Sequence, residues 1–166
     1  LSIGYQALTG AINGGEFNVA IGNLALDALT TGDNAVAIGY QAGSACTTAG
    51  DAVLIGYQAG SSITTGGGHL FIGKNAGDGF DTENFNMGIG ANALGGAIAG
   101  GEYNIAIGDT SLSALTSGDK NTVIGYQAGK TMSSGGTNVI IGHQAMDTAT
   151  TPANGVFIGN NVGGEA

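Results

Sequence analysis

The dipeptide Ile-Gly stands ten times along the chain, with its isoleucines at positions 3, 21, 38, 55, 72, 89, 107, 124, 141 and 158. Seven of the nine intervals are 17 residues and the other two are 18. A unit this short cannot bury a core alone, so its repetition over the whole length predicts stacked coils that share one continuous core. The expected fold is all-β, a parallel β-solenoid of ten rungs, forming a single domain over residues 1–166.

Within a rung such as Asn34 to Gly50, the run NAVAIG is β-branched and alternating. It reads as a short strand. A second strand is expected near Ala45 to Thr48, with glycines and small polar residues turning the chain between them. The period is too short for a helical repeat. Side chains alternate along a strand. The Ile column and the column two residues before it (Val19, Val36, Val53, Leu70, Met87, Ile105, Thr122, Val139 and Val156) are therefore expected on one face, turned inward. An opposing inward column follows eight residues after Ile at Leu29, Cys46, Ile63, Phe80, Leu115, Met132 and Ala149, and one place later at Ile12 and Ile98 in the 18-residue rungs.

That assignment sends the residue just before each Ile outward. Along this column the side chains grow from Ser2 through Ala20, Ala37 and Leu54 to Phe71, reset at Gly88, and grow again through Ala106, Val123 and Ile140 to Phe157. A mostly apolar outer row should not face water. Leu54, Phe71, Val123, Ile140 and Phe157 are accordingly the candidate assembly interface. The reset also exposes a longer period of 86 residues: AINGGEFNVAIG recurs as AIAGGEYNIAIG. Two five-rung units follow, about 3–88 and 89–166. Uncapped terminal rungs would expose backbone and core, so the rod is expected to continue at both ends, through flanking sequence or head-to-tail stacking.

Composition narrows function by exclusion. Twelve acidic residues against three lysines and no arginine give a formal net charge of −9. Phosphate recognition needs cations, so nucleic acid is not an expected partner, nor is an anionic membrane surface. No apolar run approaches a membrane span, so no membrane insertion is expected. Glycine at 34 positions with one proline lacks the collagen period. The single cysteine, Cys46, falls in an apolar column and reads as a core residue.

Several columns carry possible chemistry. Tyr5, Tyr40, Tyr57 and Tyr126 each precede a glutamine, and His143-Gln144 takes the same place. An exposed ring beside an amide suits a sugar, since one stacks and the other hydrogen-bonds. Tyr5, Tyr40, Gln41, Tyr57, Gln58, Tyr126 and Gln127 are the candidate glycan contacts, against the alternative of simple stacking between rungs. Thr30, Thr47, Thr64, Thr116 and Thr150 form a column that could order water as ice does, or could satisfy backbone groups near turns. Asp33, Asp51 and Asp119 follow glycine at a turn without the dense Asp pattern of calcium solenoids. His69 and His143 lie in different columns, and no catalytic arrangement converges. No enzyme activity, metal or cofactor is expected.

NAVAIG resembles the N-S-V-A-I-G signature of trimeric autotransporter adhesin heads. IGYQAG with TTGDN is similar to repeats of phage tail-fibre and related bacterial surface proteins. The resemblance covers essentially the whole chain, although those heads typically use shorter repeats. It implies a left-handed β-roll, a homo-oligomer with three chains side by side or an end-to-end filament, and an extracellular, cell-surface or virion location. The implied function is a structural and adhesive fibre segment meeting a surface glycan or protein receptor. An ice-binding solenoid, and an inert spacer or filament subunit, are the alternatives.

Overall fold

The computed structural model describes residues 1–97 and 99–163. Each Ile-Gly marks the end of one short strand. The strands are β1 (Ser2–Ile3), β2 (Val19–Ile21), β3 (Val36–Ile38), β4 (Val53–Ile55), β5 (Leu70–Ile72), β6 (Met87–Ile89), β7 (Ile105–Ile107), β8 (Thr122–Ile124), β9 (Val139–Ile141) and β10 (Val156–Ile158). They form one parallel sheet in chain order, and every Ile pairs with the Ile of the next rung. This is the expected solenoid. At about 4.8 Å between strands, ten rungs make a sheet roughly 48 Å long.

One strand per rung is found among the described residues, not two. Near Ala45 to Thr48 the chain still bonds from rung to rung, as in Thr30 N–H to Thr47 O at 2.8 Å and Thr47 N–H to Thr64 O at 2.9 Å. The glycines and turns on either side leave that ladder too short to extend into a strand.

The Ile-Gly glycines allow the coils to lie this close. Gly39 and Gly56 both hold φ of 140°, and a Cβ on either would meet the carbonyl oxygen of the next rung's glycine at 2.2 and 2.3 Å. No side chain fits there.

The sides of the strand are the reverse of the sequence expectation. Ala20, Ala37, Leu54, Phe71, Ala106, Val123 and Ile140, the middle residues of their strands, are completely buried. The Val and Ile columns on either side are half-buried on the outer face. Alternation says that residues one and three of V-A-I oppose residue two; it does not say which side is in. Volume decides. Six residues beyond the middle position stands a second interior column, and in most rungs its size runs opposite to the first, Ala37 with Gly43 and Ile140 with Met146 being the exceptions. Ala20, Gly88 and Ala106 go with Leu26, Leu94 and Leu112, whereas Leu54, Phe71 and Val123 go with Gly60, Gly77 and Gly129. A Cβ on Gly77 would stand 2.3 Å from the Phe71 ring, and one on Gly60 2.8 Å from Leu54. The growth along the middle column is therefore core packing.

The opposing column is interior as expected, with Leu29, Cys46, Ile63, Phe80, Leu115 and Met132 buried and Ala149 partly so. Ile12 departs from it: the extra residue of its rung carries it outward to 40% exposure. Ile98 lies outside the described residues.

A polar ladder runs inside the coil before the strands. Asn86, Asn104, Asn121 and Asn138 are buried, and each of the last three donates its amide to the side-chain oxygen of the one before, at 2.9–3.2 Å. Those oxygens also accept the backbone N–H of the next rung. His69 occupies the same column below Asn86. Its Nδ1 accepts the Asn86 N–H at 3.2 Å, and its Nε2 pairs with the Glu83 carbonyl at 2.9 Å.

Candidate functional site

The outer strand face is the most distinctive surface. Val19, Val36, Val53, Leu70, Met87, Ile105, Thr122, Val139 and Val156 run beside the Ile column without one charged residue between them. Each side chain is shielded on two flanks by its neighbours above and below, which leaves only its tip in water. At the terminal rungs one flank is missing, and Ile3, Val156 and Ile158 rise to 55%, 70% and 64% exposure.

Aromatic side chains border this face. Phe85 and Tyr103, at 56% and 51% exposure, stack with ring centroids 5.4 Å apart. Gly68, one rung below, leaves room for the Phe85 ring, which a Cβ there would touch at 2.6 Å. With Leu70, Met87 and Ile105 they line a shallow groove of about 360 Å³. The residues of this edge, including Phe17 at 79% exposure, hold left-handed φ values of 53–70°. That backbone bend swings the side chains to the border of the sheet.

The tyrosines read as glycan contacts lie past the other end of the strand. Tyr40 stacks on Tyr57 at 5.4 Å, and Tyr126 on His143 at the same separation. All four are exposed, as is Tyr5. Their glutamines form amide ladders: Gln58 Nε2 donates to Gln41 Oε1 at 2.9 Å, and Gln144 Nε2 to Gln127 Oε1 at 3.0 Å. The column is interrupted by Asn23, Lys74, Ala91 and Asp109. It offers two-rung platforms, each with one amide edge partly committed to its neighbour.

The threonine column is turned to the backbone. The hydroxyls of Thr30, Thr47 and Thr116 donate to the next rung's carbonyl at 2.8–3.0 Å. Thr64 reaches the Asp81 carbonyl and carboxylate. Thr150 gives its carbonyl to the Ser133 hydroxyl at 3.3 Å. In the first three pairs the exposed member is the second one, and Thr31, Thr48 and Thr65 border a polar trough of about 450 Å³ with Asn34, Asp51 and Asn84, whereas Thr116 and Thr150 are exposed as well.

The residues named as an assembly interface are not on the surface. Leu54, Phe71, Val123 and Ile140 are fully buried inside their own coil, and Phe157 is partly buried against the same core. The sequence carries a signal of this in most rungs, where the column six residues on is large beside a small middle residue and small beside a large one.

Four titratable groups are perturbed by the coil, among them Asp78, whose carboxyl is raised by burial against a hydrogen bond from its own backbone. Burial pushes the Cys46 thiol up to about 12, which leaves it protonated and inert at neutral pH. Burial also holds the His69 imidazole below its ordinary value, against the opposing pull of its backbone bonds and of Glu83 and Glu102. For Glu83, burial raises the carboxyl, but hydrogen bonds from backbone N–H groups, including those of Asp81, Gly100 and Thr82, outweigh it and leave the pKa lowered. Asp33 and Asp119 accept the N–H of Glu16 and Glu102, an ordinary turn-capping role. Among the described residues no three His, Cys, Asp or Glu side chains group as metal ligands. No protein-family model, curated protein or solved structure matches the chain.

Proposed function

We propose that the chain is a structural and adhesive segment of an extracellular fibre, a homo-oligomeric rod that presents the same side chains many times along one axis. The observation that carries this reading is the strict rung-on-rung register of all ten strands. It holds the two aromatic platforms and the amide ladders at fixed spacing on a rigid frame. Weak contacts at such sites sum through multivalency, since each further contact is made at high effective concentration. The exposed Tyr40–Tyr57 and Tyr126–His143 pairs are the proposed sugar-stacking positions on a surface glycan.

Glycan-array and whole-cell binding by the intact chain test this. Binding that falls when Tyr40 and Tyr57 are both changed to alanine, with the coil still folded, supports the reading. The absence of any binding by the unsubstituted chain leaves a spacer. Ice binding is the rival from another class. It is disfavoured by the commitment of the Thr30, Thr47 and Thr116 hydroxyls to backbone carbonyls, and thermal hysteresis in solution would restore it.

A further inference from the structure

The open sheet face is too large and too apolar to be left in water. Its three outward columns, from Phe85–Tyr103 through the Val column to the Ile column, span about 15 Å, and ten rungs span roughly 48 Å. The product is a footprint of roughly 700 Å² per chain, in which the Val and Ile columns form a continuous apolar strip and the Phe85–Tyr103 edge is mixed. Two such faces together reach about 1,400 Å², within the range of stable protein–protein interfaces.

We propose that this face is covered by the same face of a second copy, running antiparallel, with a two-fold axis through the β6 rung. Two identical sheets share the same ridge spacing along their whole length, which an unrelated surface would not. Sheets of this kind pack face to face at about 10 Å with their side chains interdigitated.

The register follows from the borders of the face. The edge column holding Phe85 and Tyr103 contains two charged residues, Asp51 two rungs below β6 and Lys120 two rungs above it. The opposite column, which holds Tyr40 and Tyr57, also contains two: Lys74 one rung below β6 and Asp109 one rung above. All four are exposed. A two-fold axis parallel to the strands and centred on β6 lays each column on its own copy with the rung order reversed. Asp51 then faces Lys120 of the second copy, and Lys74 faces Asp109. Each pair occurs twice, so every charge in the two columns meets its opposite.

The same operation sets Tyr103 over Gly68, a large side chain against an empty position, and Tyr57 over Tyr126. A parallel arrangement, with the axis along the rod, would instead put Asp51 against Tyr57 and Lys120 against Tyr126 and leave all four charges unmatched. Exposed ion pairs add little affinity but select register; the apolar strip between them supplies the attraction.

This inference rests on reading the chain as an assembling rod. The same operation lays Tyr40 on His143 and Tyr57 on Tyr126 of the second copy, so pairing competes with glycan binding at these rings, and the test reads mass and protection rather than glycan binding. Sedimentation equilibrium should give twice the 16.1 kDa chain mass. Ile89→Lys, at the central rung, should give the single-chain mass with an unchanged far-UV circular dichroism spectrum. Asp51→Lys should weaken the pair, and adding Lys120→Asp in the same chain should restore it. Met87→Cys should be joined to its own copy by a short thiol-specific cross-linker, because it lies on the axis; Val36→Cys, far from the axis, should not. Cys46 is buried and does not compete. Footprinting of the unsubstituted chain reads the face without any variant: the Val and Ile columns should be protected. A single-chain or three-chain mass, labelling of the Val and Ile columns, or equal cross-linking at both positions overturns the proposal. An oligomer that survives Ile89→Lys unchanged also overturns it while leaving the fibre reading intact.

Discussion

At the scale of single residues, the core works as a set of matched pairs across a thin coil. Phe71 occupies the space that Gly77 and Gly88 leave, and its ring packs on His69 and Phe80 at centroid distances of 4.9 and 5.1 Å. Phe71→Ala should therefore destabilise the coil by about 3–5 kcal/mol, read as a lower thermal midpoint. Combining it with Gly77→Leu transposes the pair to the Ala20–Leu26 pattern and should recover part of the loss. Leu26 already holds a left-handed φ of 48°, so leucine is tolerated in that column. Gly77→Leu alone, with Phe71 kept, should be worse than the combination. Additive effects of the two changes would contradict the pairing.

At the scale of the element, the Asn ladder ties successive rungs together from inside. Asn121 satisfies its own amide on Asn104 and Gly135, and its oxygen accepts the Asn138 N–H. Asn121→Leu leaves a buried donor without a partner and should cost about 1–3 kcal/mol. His69 ends the ladder and adds a pH dependence. As Nδ1 accepts a hydrogen bond, the folded imidazole is neutral with its proton on Nε2, and its pKa is depressed. Above the unfolded value of about 6.5 the ring is neutral in both states and contributes no slope. Below it the unfolded chain takes up a proton that the folded chain resists, so stability should fall as pH drops toward the depressed folded value. Glu83 adds a second acid limb at lower pH, since its own pKa is lowered and its stabilising contribution is lost as it protonates. Denaturation midpoints across pH 4 to 8 should show the upper limb in the native chain and lose it in His69→Asn; a limb that persists would assign it elsewhere.

At the scale of the whole molecule, the contacts are almost purely nearest-neighbour, each strand pairing only with the one before and the one after. Stability should then be nearly additive in rungs. Deleting residues 39–55, one full period, joins Ile38 to Gly56 and keeps every column in place. The shortened chain should fold with a modestly lower melting temperature. Deleting residues 39–47 instead brings the wrong columns into register and should abolish cooperative melting. If the two deletions melt alike, the register is not what holds the coil.

The regular Ile-Gly period was enough, without any structure, to determine the solenoid, its rung count, the parallel in-register stacking and the opposing interior column at Leu29, Ile63 and Phe80. A period is a property of the chain itself, and stacking is the way a unit of 17 residues can bury its apolar side chains. Which side of the strand faces in was not determined that way. V-A-I is apolar on both sides, so alternation is satisfied by either choice, and the reading that placed Phe71 outside was as consistent locally as the one that places it inside. The choice depends on whether Phe71 and Gly77 meet across the coil, six residues apart in sequence and on opposite walls. Only the tertiary structure brings those walls together, and with them it decides that the Val and Ile columns, not the graded column between them, form the apolar outer face.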